Sequence, residues 1–172
     1  MILITVPHGQ CRSTGRDCDR RARLFGQYLH RYIPDSVLID NSPYRAEVDG
    51  NRRASRATPF RQAVRRALPD ATLVIDAHSF PDEMGVWDLP TAPGVPLVVL
   101  SMAETLGMRE PAVFQRIRRA PYVRNLQGST DNDIIVEAWM DFGVPGILLE
   151  ANEDLSKEEV KELARSVAAN FI

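Results

Sequence analysis

The sequence predicts an α/β domain, a three-layer sandwich in which a mixed, mostly parallel sheet carries helices on both faces. Three observations predict it. Short apolar, β-branched runs alternate with stretches whose apolar residues recur every three to four positions, which implies βαβ crossovers. The 172 residues, 44% hydrophobic and 26% charged, are enough for one domain with a buried core and no disulfide staples. The polar residues His8, His78 and Glu150 each follow an apolar run. In such folds ligands gather beyond the carboxyl ends of strands.

Taken in order, Ile2–Val6 is a buried-strand pattern, and residues 9–16 are a Gly-, Ser-, Thr- and Arg-rich loop. Ala22, Phe25, Leu29 and Ile33 share helical spacing within a helix expected from Asp19 to Tyr32. Ser36–Ile39 is a short strand, and Thr58–Ala67 a helix through Phe60 and Val64. Ala71–Ala77 is a second buried strand, expected to end at Asp76 and His78. Pro96–Ser101 is a third. Glu110–Ile117 reads as a short helix entered through Pro111, and Asp131–Phe142 as a helix with Ile134, Ile135, Ala138 and Trp139 on one face. Gly146–Leu149 is a fourth strand that ends at Glu150. Ser156 with Glu159 three later forms a capping-box signature for the last helix. No repeat divides the chain, so residues 1–172 read as a single domain.

The net charge of −2 hides a split. Residues 1–127 carry 18 Arg against 13 acids, whereas residues 128–172 carry 3 bases against 10 acids. Of the 21 bases, 19 are Arg. That bias reflects genome composition or a site that holds anions bidentately. A nucleic-acid binder would show a strong net positive charge, so no nucleic-acid partner is expected. The apolar runs are too short to span a bilayer, so no membrane partner is expected either. Met1–Val6 lacks a basic flank and reads as a strand rather than a signal peptide. Cys11 and Cys18 share one loop. They suit a cytoplasmic protein with free thiols or a metal site better than a local disulfide.

Of three histidines, His30 lies within a helical pattern and reads as structural. His8 and His78 follow buried strands and are candidate zinc ligands, since a catalytic zinc takes three protein ligands and water. Cys11, three residues after His8, and Asp17, in the same loop, are alternative third ligands. Asp17 and Asp19 also suit the N-terminus of the following helix. Asp76 shares a side of an extended strand with His78 and could fix its tautomer. Asn51 and Arg52 offer an amide and a planar fork for a substrate carboxylate. Glu150, at the tip of an apolar strand, is the candidate general base.

The ordered set Pro7-His8-Gly9, Asp17, Asp49-x-Asn51-Arg52, His78-Ser79-Phe80 and Glu150 resembles the N-formylglutamate amidohydrolase family, within the zinc carboxypeptidase and aspartoacylase clan. Gly128–Asp133 also looks like the stretch that precedes the clan's catalytic glutamate. The resemblance implies a phosphorylase/hydrolase-like fold and one zinc ion on His8 and His78. It implies Asn51 and Arg52 on a substrate carboxylate, and Glu150 as base and acid in amide hydrolysis. Position 11 is Cys where the wider clan has Glu, so the third ligand is Cys11 or Asp17. Tyr122 is the candidate for the clan's mobile lid residue. The expected substrate is a small N-acyl amino acid or short peptide bearing a carboxylate. The competing expectations are a carboxypeptidase-like peptidase, a domain that kept the fold without metal, and an Arg-rich nucleic-acid- or anion-binding module.

Overall fold

The computed structural model describes residues 1–8, 21–41, 50–80, 95–127 and 131–172. Within them six strands form one sheet: β1 (Ile2–Val6), β2 (Ser36–Asp40), β3 (Leu73–Phe80), β4 (Leu97–Ser101), β5 (Val123–Gln127) and β6 (Gly146–Asn152). Their order across the sheet is β2-β1-β3-β6-β4-β5. The first four in that order run parallel. β4 is antiparallel to β6, and β5 is parallel to β4. The expected mixed, mostly parallel sheet is therefore present.

Helices cover both faces. α1 (Ala22–Tyr32), α4 (Ala112–Arg118) and α6 (Lys157–Ala168) lie on one. Phe25, Leu29, Phe114, Val160 and Val167 meet Ile4, Val6, Ile75, Ala77, Leu149 and Ala151 there. α2 (Pro59–Ala67) and α5 (Asp133–Phe142) lie on the other, where Phe60, Val64, Ile134 and Ala138 meet Leu3 and Val74. Met102, just before the short helix α3 (Ala103–Leu106), joins Val98, Leu100, Ile135 and Leu148 on that second face. Each fully buried Leu, Ile or Phe contributes about 1.5–3 kcal/mol of transfer free energy. Gly26 lets α1 approach β1, because a Cβ there would overlap Val6 Cγ2.

The helix starts follow their sequence signals. Thr58 Oγ1 accepts from the Arg61 N–H ahead of Pro59, a residue suited to a first turn. Asn132 Oδ1 accepts from the Ile135 N–H at α5, and Ser156 with Glu159 completes the capping box of α6.

Three expectations need correction. β3 runs on to Phe80 and β6 to Asn152, so His78 and Glu150, expected at strand ends, lie inside their strands, while Asp76 lies within β3 as expected. Parallel pairing continues through His78↔Glu150 to Phe80↔Asn152, because the backbone ladder is indifferent to the polarity of the side chains. β5 (Val-Arg-Asn-Leu-Gln) was not expected at all, since an edge strand this polar lacks an apolar signature. Tyr122 is not near the site. It packs against the α1/α6 side of the sheet, where burial pushes its hydroxyl up against a smaller opposing hydrogen bond with Asn170.

Candidate functional site

Side chains alternate across a strand, so the strands that bury Ile75 and Leu149 on one face present Asp76, His78 and Glu150 on the other. His78 and Glu150 are register partners on adjacent parallel strands. Thr5 of β1 pairs with Asp76 in the same way. His8 follows β1 by two residues, and its ring meets that of His78 edge-on with centroids 4.9 Å apart. Three of the expected residues, from three separate strands, thus converge on one face near the carboxyl ends of β1, β3 and β6.

Asp76 is the hub beneath them, and it is fully buried. An ionised carboxylate there costs several kcal/mol unless it is paired and hydrogen-bonded. Thr5 Oγ1 donates to its Oδ1 at 2.5 Å. Its Oδ2 lies 3.0 Å from His78 Nε2 and accepts from Asn132 Nδ2 at 2.8 Å. Burial alone would push the Asp76 carboxyl up. The charge of His78 and the hydrogen bonds from His78, Thr5 and Asn132 outweigh it and hold Asp76 below the usual carboxylate range. A carboxylate on Nε2 stabilises the proton at that nitrogen and leaves the lone pair of a neutral ring on Nδ1. A metal can bind either ring nitrogen whose lone pair is free, so a ring with that arrangement would ligate through Nδ1.

Asn51 sits within this cluster. It is buried, with Nδ2 3.3 Å from His78 Nε2. Its backbone is fixed by a local stitch. Ser55 Oγ donates to the carbonyls of Gly50 at 2.9 Å and Arg52 at 2.6 Å, and the Asp133 N–H donates to the Asn51 carbonyl at 3.0 Å. Gly50 is needed for close approach: a Cβ there would lie 3.1 Å from the Pro7 carbonyl oxygen and 2.9 Å from Asn41 Nδ2. Asn41 Nδ2 itself donates to Pro7 O at 2.8 Å, which ties the ends of β1 and β2 together. Arg52 points to solvent, with Nη1 4.0 Å from Asp131 Oδ2. The structure therefore brings Asn51 to His78 and leaves Arg52 on the rim.

Cys11, Asp17, Asp19 and Asp49 lie outside the described residues, as does the 128–130 part of the Gly128–Asp133 stretch. Among the described residues no three His, Cys, Asp or Glu side chains form a ready metal-binding group. The donor chemistry of His8 and His78 nevertheless fits a zinc-type ion, since their ring centroids lie 4.9 Å apart and Asp76 beside His78 Nε2 leaves Nδ1 as the candidate ligating atom. His30 has the structural role expected of it: exposed in the last turn of α1, with Nδ1 3.0 Å from Ser36 Oγ.

Sequence reasoning missed a charged cluster behind the site. Arg56 binds the Asp133 carboxylate with Nε and Nη2 at 2.7 and 2.8 Å. Arg61, whose side chain is fully buried, reaches Asp133 Oδ2 at 2.9 Å and Glu137 Oε2 at 2.5 Å. Partners 72 and 76 positions apart leave no local trace, and Arg in an amphipathic helix reads as a solvent face. The signal that could have found them is Asp133 and Glu137 four apart on one side of a mostly apolar helix. Another polar junction missed in sequence lies on the opposite face. There Ser79 Oγ donates to Glu153 Oε1 at 2.9 Å and accepts from the Arg21 N–H at 3.1 Å, just before α1.

Fold and cluster together define an α/β three-layer sandwich with a histidine- and carboxylate-bearing face at the carboxyl ends of its central strands. The same fold occurs in the crystal structure of gene product Atu2144 from Agrobacterium tumefaciens, with a TM-score of 0.66, 14% sequence identity, and coverage of 99% of this chain and 88% of that one. At that identity the similarity speaks for the fold alone. No protein-family profile matches the chain, and no curated protein sequence does. Among the described residues no helix is long and apolar enough to cross a membrane.

Proposed function

We propose that the protein is a zinc-dependent hydrolase that cleaves an amide bond next to a carboxylate-bearing residue, in the manner of N-formylglutamate amidohydrolases. The observation that carries this reading is the pairing of His78 with Glu150 in register, with the His8 ring against His78 and Asp76 behind it. A ligand-type histidine pair beside a half-buried carboxylate is the minimum set for metal-assisted hydrolysis.

His8 and His78 would hold the ion, with Cys11 or Asp17 as the third ligand. When bound, zinc supplies Lewis-acid polarisation of the scissile carbonyl and eases ionisation of water near neutral pH. Asp76 keeps His78 oriented through Nε2. Glu150 takes a proton from the attacking water and returns it to the departing amine, as base and then acid. Asn51 and Arg52 anchor the substrate carboxylate: the amide from within the cluster, the guanidinium from the rim. The substrate class is a small N-acyl amino acid or a short peptide with a free carboxylate. The cytoplasm suits this chemistry, because a reducing compartment keeps a Cys11 thiol available as a ligand.

The test is metal content by mass spectrometry for wild type, His78→Ala, Cys11→Ser and Asp17→Asn, with hydrolysis of N-formylglutamate followed in parallel. The expected result is about one zinc per chain, lost in His78→Ala and in whichever loop variant removes the third ligand. Wild-type protein that binds no zinc after loading would overturn the reading in favour of a non-catalytic domain that kept the fold.

A further inference from the structure

The geometry points to Arg61 and Glu137 as positioning residues that set Asn51 and the Asp76–His78 pair by clamping the 50–56 segment to the first turns of α5. Its catalytic consequence rests on the hydrolase reading, but the clamp itself does not.

Two connections run from the buried charges to the site. On one side, Arg61 Nη1 donates to the Gly50 carbonyl at 3.4 Å, one residue from Asn51. Arg61 Nη2 also donates to the Asp133 carbonyl at 3.4 Å, and the Asp133 N–H holds the Asn51 carbonyl. On the other side, Asn132, next to Asp133, donates to Asp76, which holds His78. One guanidinium therefore sits where the substrate-anchoring segment and the support of the histidine meet. Glu137 holds it there from the next turn of α5, and Arg65 Nη1 lies 3.5 Å from the other Glu137 oxygen.

Stability alone does not account for this choice of residues. Replacing a buried ion pair with well-packed apolar side chains is often neutral or stabilising. An apolar side chain at position 61 could fill the volume, but it could not donate to the Gly50 and Asp133 carbonyls. The fork geometry of Arg makes those bonds and the carboxylate bonds at once.

The test uses the full chain without added metal. Backbone amide exchange is measured at Asp133, whose N–H bridges to Asn51, and at Leu149 in the centre of β6, and the His78 ring nitrogens are observed by NMR. In Glu137→Gln the Asp133 amide is expected to exchange about tenfold faster and the His78 ring signals to shift, with Leu149 within about twofold of wild type. Should that variant not fold, Arg56→Lys, at a half-buried position, is expected to speed Asp133 exchange about threefold in a folded chain. Wild-type Asp133 exchange and His78 signals in a folded variant would overturn the clamp.

With zinc-loaded enzyme, Glu137→Gln is expected to raise KM about tenfold with kcat within about threefold, since Asn51 and Arg52 act in binding. A purely structural role would instead lower kcat through loss of active protein and leave KM unchanged. If the wild type neither binds zinc nor hydrolyses substrate, the hydrolase reading fails while amide exchange still decides the clamp.

Discussion

The two faces of the sheet are built from the same strands and do opposite work. Toward α1 and α6, β1, β3 and β6 present Ile4, Val6, Ile75, Ala77, Leu149 and Ala151, an apolar wall that gives way at the end of β3 to Ser79, bonded to Glu153. Toward α2 and α5 they begin apolar, with Leu3, Val74 and Leu148, and end polar, with Thr5, Asp76, His78 and Glu150. The period of two lets one strand be core and site at once. The apolar face holds the backbone rigid, so that side chains one position over are fixed to within the tolerance that chemistry needs.

The comparison predicts that substitutions on the two faces fail differently. On the proposed hydrolase function, the largest effect is expected for Glu150→Gln on the polar face: loss of hydrolysis by a factor of about 100 to 10,000, with zinc content and thermal midpoint close to wild type. Turnover retained in that variant would remove Glu150 from the mechanism. On the apolar face, Phe25→Ala is expected to cost about 3–5 kcal/mol of stability, read by denaturant unfolding, with per-molecule activity preserved in the folded fraction. Activity falling further than the folded fraction would show that the faces are not independent.

Acid is expected to weaken the charged cluster behind the polar face. Burial would push Asp133 up, but hydrogen bonds and charge from Arg56 and Arg61 hold its carboxyl below the usual range. The folded state therefore binds this proton less tightly than the unfolded state does. The contribution to stability is full above the ordinary aspartate value, about 3.9, and is lost as pH falls from there through the lower folded value. Asp133→Asn should be less stable than wild type at neutral pH, and the gap should narrow through that acid window. A constant gap would assign the loss to shape rather than charge. The smallest effect is expected at the exposed start of α6, where Ser156→Ala removes the helix cap and costs about 1 kcal/mol without touching activity.

The legibility of the sequence follows the same divide. Wherever burial writes an apolar period, the elements could be read: Ile2–Val6, the core of β3, β4, the start of β6 and the face of α5. Where polarity sits inside regular structure, the reading stopped short. The apolar pattern puts His78 and Glu150 at the ends of their strands, because the apolar run ends before the hydrogen-bonded ladder does. Their convergence with His8 was nevertheless foreseeable, because strand ends in a parallel sheet share an edge. The Arg61 cluster leaves only half a trace, the spacing of Asp133 and Glu137, because the cation lies in one helix and both acids lie in another.

The central position of β6 has a consequence for the order of biosynthesis. β6 follows the other five strands in the chain, yet it lies between β3 and β4 and pairs with both. A growing polypeptide emerging from the ribosome therefore holds two half-sheets that cannot join until residues 146–152 are made. During that interval the pairing edge of β3 is uncovered, and nascent chains with such edges are prone to stick to one another. Glu150 arrives on the segment that closes the gap. The last strand to dock completes the sheet and brings the carboxylate to His78 in the same event.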